Sequence, residues 1–312
     1  MQFRSPLFAS LIVLAMATLT AAENPGEPAY ASKVPEPTLR GVAYGEHERQ
    51  TLDLWKADSE NPTPLVVVIH GGGWVGGSKE RVDRFVEVSG LLEAGISVAA
   101  INYRLLPWAE EAGVEPPVSA PLEDAARSIQ YIRSRAREWN IDKQRIAAAG
   151  GSAGACSSLW LAFHDDLADT ESPDPIARES TRLWCAAVTG AQTTLDPHQM
   201  REWTPNSRYG GRGFGFPKFE EFHAARDSIL PWIEAYSPYH QVSDDDPPVF
   251  LRYGGPPLMG REQRDPTHTA NFGLGLLKLC QERGVECELA FPNSPHSSHA
   301  DTTSFLIETL SN

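Results

Sequence analysis

Two glycine-rich segments of this chain contain the residue types that acyl transfer requires. Segment 70–74 reads His-Gly-Gly-Gly-Trp, segment 150–154 reads Gly-Gly-Ser-Ala-Gly, and each directly follows an apolar run typical of a β-strand. A serine at a sharp strand-to-helix turn, flanked by glycines that permit the turn, would have an exposed hydroxyl. Ser152 is therefore predicted as a nucleophile. Backbone N–H groups facing a developing oxyanion are expected from Gly71, Gly72 and Ala153.

The two motifs, in this order, resemble those of α/β-hydrolase esterases of the hormone-sensitive-lipase and feruloyl-esterase-like type. The likeness covers most of the mature chain and includes the apolar strand at 96–101, the helix at 121–139 and the segment 141–146 that leads into the second motif. The resemblance implies an α/β-hydrolase fold, in which a central, mostly parallel sheet of about eight strands has helices on both faces and a cap insertion.

Alternating apolar runs and helical patterns also predict a layered α/β fold. Strands are expected at 41–44, 51–55, 65–69, 96–103, 145–149, 183–189, 249–253 and 287–291. Helices are expected at 79–92, 121–139, 153–164, 267–283 and 300–310. Several of the strands are almost entirely apolar, which is typical of parallel strands that are covered on both faces.

The segment 193–236 interrupts this alternation and is rich in aromatic residues. In hydrolases of the type that the chain resembles, an insertion at this point forms a cap over the active site. Two interpretations of the aromatic side chains, Trp203, Phe214 and Phe216 among them, stay open. They line an acyl or alcohol pocket, or they form a small core beneath a long loop.

A serine nucleophile needs a histidine to take its proton and a carboxylate to orient that histidine. The resemblance implies the chain order Ser, acid, His, with the acid after the strand that follows the cap and the histidine after the last strand. On this basis Asp265 is predicted as the acid, with Glu262 as the alternative; Asp265 could instead cap the following helix. His296 is predicted as the base, with His299 as the alternative.

The remaining histidines near these motifs have other interpretations. His70 is expected to order the oxyanion loop through its own hydrogen bonds. His164 and His268 are interpreted as surface or helix-terminal residues, since each lies at an end of a predicted helix.

The N-terminus has the pattern of a secretory signal peptide at 1–22, with Arg4, an apolar stretch at 7–19 and small residues before the cleavage point. That stretch is too short for a membrane anchor. We therefore expect a secreted or periplasmic protein with no membrane span in its mature form. Residues 23–37, rich in Pro, Glu and Ala, predict a flexible leader, and the hydrolase domain is expected at 38–312.

The charge and the cysteine spacing of the chain argue against two kinds of ligand, nucleic acids and metal ions. The formal net charge is −14, which is unfavourable for binding a nucleic-acid backbone. No C-x-x-C or H-E-x-x-H spacing occurs among the 312 residues, so no metal site is expected. Cys280 and Cys287 are interpreted equally as a short disulfide or as two buried thiols.

Together these features predict a secreted serine carboxylesterase that works through an acyl-enzyme, without cofactor or metal. Its substrate would be a small-molecule or carbohydrate-linked ester; the oligomeric state stays open. The same triad also cleaves amide bonds, so a peptidase or amidase is an alternative. A further alternative is a non-catalytic binding protein on a hydrolase scaffold, because function belongs to the site and not to the fold.

Overall fold

A single eight-stranded sheet organises the protein, whose computed structural model describes residues 29–311. Its strands are β1 (Leu39–Ala43), β2 (Thr51–Trp55), β3 (Thr63–Ile69), β4 (Ser97–Ile101), β5 (Ile141–Gly151), β6 (Ala186–Thr189), β7 (Val249–Arg252) and β8 (Cys287–Ala290). They lie in the order β1-β2-β4-β3-β5-β6-β7-β8. β1 and β2 are antiparallel to their neighbours, and the other pairs are parallel. The predicted mostly parallel sheet is confirmed.

The helices cover both faces of this sheet. They are α1 (Val88–Glu93), α2 (Leu106–Glu111), α3 (Ser119–Trp139), α4 (Ala153–Phe163), α5 (Pro197–Trp203), α6 (Phe219–Ala225), α7 (Leu230–Tyr236), α8 (Pro238–Gln241), α9 (Ala270–Arg283) and α10 (Thr302–Ser311). All seven residues of β3 are buried. Leu65, Val67 and Ile69 point into one core cluster and Val66 and Val68 into the other, as the period of two in a strand requires.

Two of the predicted helices differ in the structure from the prediction, one by being divided and one by starting later. The segment predicted as one helix at 79–92 consists of a 3₁₀ helix, Lys79–Arg84, followed by α1. The helix predicted from residue 267 begins only at Ala270, because Thr269 is its N-cap and the Thr269 hydroxyl accepts a hydrogen bond from the backbone N–H of Asn271. Residues 267–269 are consequently left outside the helix.

The insertion predicted at 193–236 contains α5, a 3₁₀ helix at Gly211–Phe214, α6 and α7. Its aromatic side chains pack on one another. Phe214 stacks on Phe222 with ring centroids 5.3 Å apart. Trp203 is buried and lies edge-on to Phe272 of α9. These contacts correspond to the interpretation of a small core beneath a long loop.

Only part of the two predicted N-terminal segments belongs to the described residues. The predicted signal peptide, 1–22, lies outside the described residues, and of the predicted leader only residues 29–37 are described. Tyr30 donates a hydrogen bond of 2.6 Å to Asp53, and Trp55 donates one of 2.6 Å to the carbonyl of Pro35. Both contacts are with β2, so this part of the segment is held against the sheet, which corrects the expectation of a leader that is flexible up to residue 37.

The four cysteines all lie within the described residues and are free thiols. Cys280 and Cys287 are nevertheless neighbours, and the contact with Cys280, together with burial, raises the pKa of the Cys287 thiol well above its usual range. The structure thus has two adjacent thiols at this place and not the alternative disulfide.

Across residues 29–311, no helix combines the length and the apolar character that crossing a membrane requires.

Candidate active site

Ser152 occupies the sharp turn between β5 and α4. β5 ends at Gly151 and α4 begins at Ala153, and Ser152 between them has φ 54° and ψ −121°. An L-residue rarely adopts a positive φ, and such strained conformations persist where the surroundings enforce them. Here the Ser152 N–H donates a 3.0 Å hydrogen bond to the Thr189 carbonyl at the end of β6. The turn therefore presents the serine hydroxyl at the carboxyl ends of the parallel strands.

The glycines beside Ser152 are needed for close packing of this turn against β3. A Cβ atom on Gly150 would lie 2.6 Å from the carbonyl oxygen of Ile69, and a Cβ on Gly154 would collide with the same oxygen. This oxygen is a backbone atom, which cannot rotate away as a flexible side chain can. The glycine pattern in the sequence thus reflects a steric requirement of the fold.

His268 connects Ser152 to Asp265. Its Nε2 lies 3.0 Å from the Ser152 Oγ, and its Nδ1 lies 2.8 Å from the Asp265 Oδ2. Since a carboxylate only accepts, Nδ1 carries the proton and donates to Asp265. Nε2 then has its lone pair directed at the serine hydroxyl. This is the arrangement in which a histidine can take a proton from a nucleophile while an acid holds its tautomer.

Asp265 is held in place by the loop that it shares with His268. Its Oδ1 accepts hydrogen bonds from the backbone N–H groups of Thr267, at 3.1 Å, and His268, at 3.2 Å. Partial burial would raise the pKa of the carboxyl, but the hydrogen bond from the His268 ring and the two backbone donors outweigh it and hold the pKa below its usual range. Asp265 is therefore ionised at neutral pH. It caps this turn and not α9, whose N-cap is Thr269.

The prediction of His296 as the base is corrected by this geometry. His296 is exposed in the loop after β8, its backbone pairs with Leu289, and within residues 29–311 its ring makes no hydrogen bond to Ser152. The alternative, His299, lies instead between Glu288, at 2.9 Å, and Glu308, at 3.2 Å. Neither His296 nor His299 contacts Ser152 in the described residues; the histidine beside the Ser152 hydroxyl is His268.

The sequence contained one signal that could have identified His268. Asp265 and His268 are three residues apart, a spacing that brings two side chains to the same side of a turn. The chain order that the resemblance implies places the histidine in the loop after the last strand instead. The late start of α9 is what frees His268 to turn back towards Ser152. Glu262, the alternative acid, is exposed, and its carboxylate makes no hydrogen bond to His268 in the part of the chain that the structure describes.

The oxyanion loop lies directly against the serine turn. A Cβ on Gly71 would be 2.5 Å from the Gly151 carbonyl oxygen and 3.2 Å from the Ser152 Cβ. Gly71 and Gly72 line the same cavity as Ser152. Ala153 is the first residue of α4, and the N–H groups of a first helical turn have no partner within the helix. The three residues thus lie beside the serine, and the binding of an oxyanion by their N–H groups stays a prediction.

His70 fixes the shape of this loop. Its Nδ1 donates to the Gly71 carbonyl at 2.8 Å, and its ring stacks on Tyr103 with centroids 4.2 Å apart. Burial lowers the pKa of His70 to about 4, so the ring is neutral at pH 7. Its Nε2 is then free to accept from Arg49, whose Nη2 lies 3.4 Å away. His70 is a positioning residue in the loop, and within residues 29–311 its ring makes no hydrogen bond to Ser152 or His268.

The cavity above Ser152 has a volume of about 500 Å³. Its charged side chains are Arg81, Arg84, Arg252 and Asp265. None of the aromatic residues of the insertion lines it, which makes the interpretation of Trp203, Phe214 and Phe216 as an acyl or alcohol pocket wrong for this cavity. Among residues 29–311, no group of three or more His, Cys, Asp or Glu side chains is placed to hold a metal ion.

The strand order, the serine turn and the histidine facing it define an α/β-hydrolase. A family model described as BD-FAE matches residues 52–256, and the chain belongs to the BD-FAE family. The matched region contains segment 70–74 and Ser152 and ends before Asp265 and His268.

Comparison with curated proteins gives relatives that are named as esterases. The chain is 32% identical over 253 residues to carboxylesterase NlhH of Mycobacterium tuberculosis. The matched region covers 78% of this chain and 68% of that protein. It is 28% identical over 145 residues to a probable isoprenylcysteine alpha-carbonyl methylesterase, ICMEL1, of Arabidopsis thaliana, covering 46% of this chain. The chain spans only 29% of the length of that relative and 53% of esterase LipC of Mycobacterium tuberculosis.

Solved structures share the fold at lower identity. An acetyl ester-xyloside bifunctional hydrolase from Caldicellulosiruptor lactoaceticus has a TM-score of 0.61 and 23% identity, with 86% of this chain and 90% of that chain covered. A truncated carbohydrate esterase from gut microbiota has a TM-score of 0.65 and 17% identity, with 91% of this chain and all of that chain covered. These likenesses show the α/β-hydrolase fold.

Proposed function

We propose that the protein is a serine carboxylesterase that works through an acyl-enzyme. The observation that carries this proposal is the chain of hydrogen bonds from Ser152 through His268 to Asp265, beside the glycines of the oxyanion loop. The family and the relatives named as carboxylesterases support it. His268 takes the role that the sequence alone assigned to His296.

In the first half of the reaction, the Ser152 Oγ attacks the ester carbonyl carbon while its proton passes to the His268 Nε2. The oxyanion accepts hydrogen bonds from the N–H groups of Gly71, Gly72 and Ala153; one such donor is typically worth about 3 kcal/mol of transition-state stabilisation. As the tetrahedral intermediate collapses, His268 returns the proton to the leaving alkoxide. An alcohol departs and Ser152 carries the acyl group.

In the second half, His268 takes a proton from a water molecule that attacks the acyl carbon. As the second tetrahedral intermediate collapses, His268 gives this proton to the Ser152 Oγ, and the carboxylic acid is released. Throughout, the Asp265 carboxylate fixes the Nδ1 proton of His268 and stabilises the imidazolium while it exists. No step requires a metal or an organic cofactor.

A fluorophosphonate probe tests the proposal directly, since it reacts with serines that are activated in this way. We expect labelling of the peptide that contains Ser152, turnover of 4-nitrophenyl acetate, and loss of both in Ser152→Ala. Protein denatured before labelling is the control for non-specific reaction. A folded protein that neither takes up the probe nor hydrolyses esters would contradict the proposal and favour a binding role. Faster cleavage of amino-acid anilides than of esters would favour an amidase.

We also propose that residues 1–22 direct export and are removed. The support is the signal-peptide pattern of the sequence. When the full-length chain is expressed in a bacterial host, N-terminal sequencing of the periplasmic or secreted protein is expected to begin at Glu23. Accumulation in the cytosol with residues 1–22 intact would be the contrary result.

A further inference from the structure

Three arginines line the cavity that contains Ser152. Arg81 and Arg84 belong to the 3₁₀ helix that follows the oxyanion loop, and Arg252 is the last residue of β7. All three are exposed to solvent. The cavity lining has one acidic side chain, Asp265, and its carboxylate is already bonded to His268. The entrance to the serine is therefore strongly positive in a chain with a formal net charge of −14.

These arginines differ from others in the same protein, which have carboxylate partners. Arg104 pairs with Asp124 at 2.6 Å, and Arg226 pairs with Asp196 at 2.7 Å. Within residues 29–311, none of the three cavity arginines forms a salt bridge. Asp83, Glu87 and Asp301 line a neighbouring cavity together with Arg84 and Arg252, but within residues 29–311 they form no salt bridge with either arginine, and Asp83 pairs with Lys33 at 3.4 Å. The cavity above Ser152 itself has three guanidinium groups and one carboxylate in its lining. Like charges grouped in this way repel one another, and an anion that enters the cavity relieves this repulsion.

The positions of the arginines follow the path that a substrate would take. Arg84 and Arg252 also line a second cavity of about 210 Å³, so the two side chains share one rim although they come from distant parts of the chain. Arg81 and Arg84 also line a larger cavity of about 1010 Å³. In the cavity above Ser152, Arg81 and Arg84 thus come from the segment after the oxyanion loop and Arg252 from the end of β7, where they can contact the parts of an ester beyond the scissile bond.

We propose that the ester substrate carries an anionic group, a carboxylate or a sulfate, which Arg81, Arg84 and Arg252 bind while Ser152 attacks the ester carbonyl. This inference rests on the proposed esterase function and adds the substrate class. A guanidinium group is suited to it, because its planar set of N–H donors matches the oxygens of a carboxylate or a sulfate. The arginines also attract an anionic ester from solution, and salt screens that attraction.

The test compares anionic esters with neutral esters of the same shape. On the alcohol side the pair is 3-acetoxybenzoate and 3-acetoxybenzamide; on the acyl side it is monoethyl glutarate and ethyl 4-carbamoylbutanoate. We expect kcat/KM for the anion to exceed that for the amide at least tenfold in one pair at low ionic strength, and the ratio to fall several-fold in 0.5 M NaCl. 3-Acetoxybenzenesulfonate, run in parallel, distinguishes preference for a sulfate-like group from preference for a carboxylate.

Substitutions of the arginines assign the effect to this site. Arg84→Gln and Arg252→Gln are each expected to lower the anion-to-amide ratio about fivefold, and the triple variant with Arg81→Gln to remove the preference. Arg137→Gln, at an exposed position near the end of α3, is the matched loss of one positive charge and should leave the ratio unchanged. Because each ratio is measured within one variant, partial unfolding affects both esters equally.

The two proposals fail in different ways. Hydrolysis of both neutral esters with a ratio near one, unchanged in Arg84→Gln and Arg252→Gln, would overturn the anionic substrate and leave the esterase in place. An equal fall of the ratio in Arg137→Gln would overturn it too, since the effect would then come from the net charge. Absence of any turnover, together with no fluorophosphonate labelling, would instead overturn the esterase.

Discussion

A His268→Ala variant is expected to lose hydrolysis of 4-nitrophenyl acetate to the level of Ser152→Ala, a fall in kcat on the order of 10⁴- to 10⁶-fold. The reason is that serine and base act as a unit: without an acceptor at 3.0 Å, the Ser152 hydroxyl keeps its proton and attacks poorly. Steady-state rates of the two single variants and of the double variant measure the effect. The double variant should be no slower than either single variant.

His296→Ala is the matched control, since it removes the exposed histidine that the sequence favoured. We expect its kcat to stay within a few-fold of wild type, and likewise that of His299→Ala, provided that the loss of the Glu288 contact leaves the variant folded. Thermal unfolding followed by circular dichroism checks the folding. An inactive, folded His296→Ala beside an active His268→Ala would return the base to the loop after β8.

Asp265→Asn should lower kcat by about 10² to 10⁴-fold while the melting temperature changes little. An asparagine side chain still offers an oxygen to the N–H groups of Thr267 and His268, so the turn keeps its hydrogen bonds. The remaining amide group cannot reproduce the anionic acceptor for the Nδ1 proton, and His268 loses both its fixed tautomer and the charge that stabilises its protonated form. Kinetics and calorimetry on the same samples separate these two effects.

The alternative acid provides the control for this variant. Glu262→Gln removes an exposed carboxylate from the same loop and is expected to keep nearly full activity. A fully active Asp265→Asn beside an inactive Glu262→Gln would move the acid to Glu262. Activity in both would indicate that the site works without an orienting carboxylate.

The lowered pKa of Asp265 also predicts how stability depends on pH. Folding favours the ionised carboxylate, so its contribution is present above the usual pKa of an aspartate and is lost as the pH falls through the lower value of the folded protein. The free energy of unfolding of the wild type should therefore fall more than that of Asp265→Asn on acidification. The difference will be small, because 62% of the Asp265 side chain is exposed and solvent screens its interactions.

The sheet and the serine turn could be predicted because local sequence determines them. Parallel strands that are covered on both faces must be apolar along their length, which made β3 recognisable, and its observed bounds differ from the prediction by two residues at one end. The turn at Ser152 requires glycine where its backbone packs directly against the backbone of β3, and the sequence has glycine at those two positions, 150 and 154. In both cases the constraint and the residues lie in the same short segment.

The base could not be predicted in the same way, because it depends on which loop turns back to the serine. Asp265 and Thr269 are both residue types that cap helices, and only the folded chain decides that Thr269 caps α9. If α9 began at residue 267, as the sequence predicted, His268 would be part of the helix and would not belong to the loop that turns back to Ser152. The grouping of Arg84 with Arg252 could not be predicted from the sequence either, since a 3₁₀ helix and the end of β7 come together only in the folded chain.

The single loop that carries both Asp265 and His268 makes the acid–base pair a local structure. Two side chains three residues apart acquire their relative geometry as soon as one turn forms, whereas a pair drawn from the loops after β7 and β8 would depend on the alignment of two strands. Only the contact with Ser152 then has to be set by long-range packing. The loop from residue 291 to α10 takes no part in this acid–base pair. An insertion there that spares the contact of His299 with Glu288 is therefore expected to leave proton transfer undisturbed, which makes the loop a suitable place for grafting in an engineered variant.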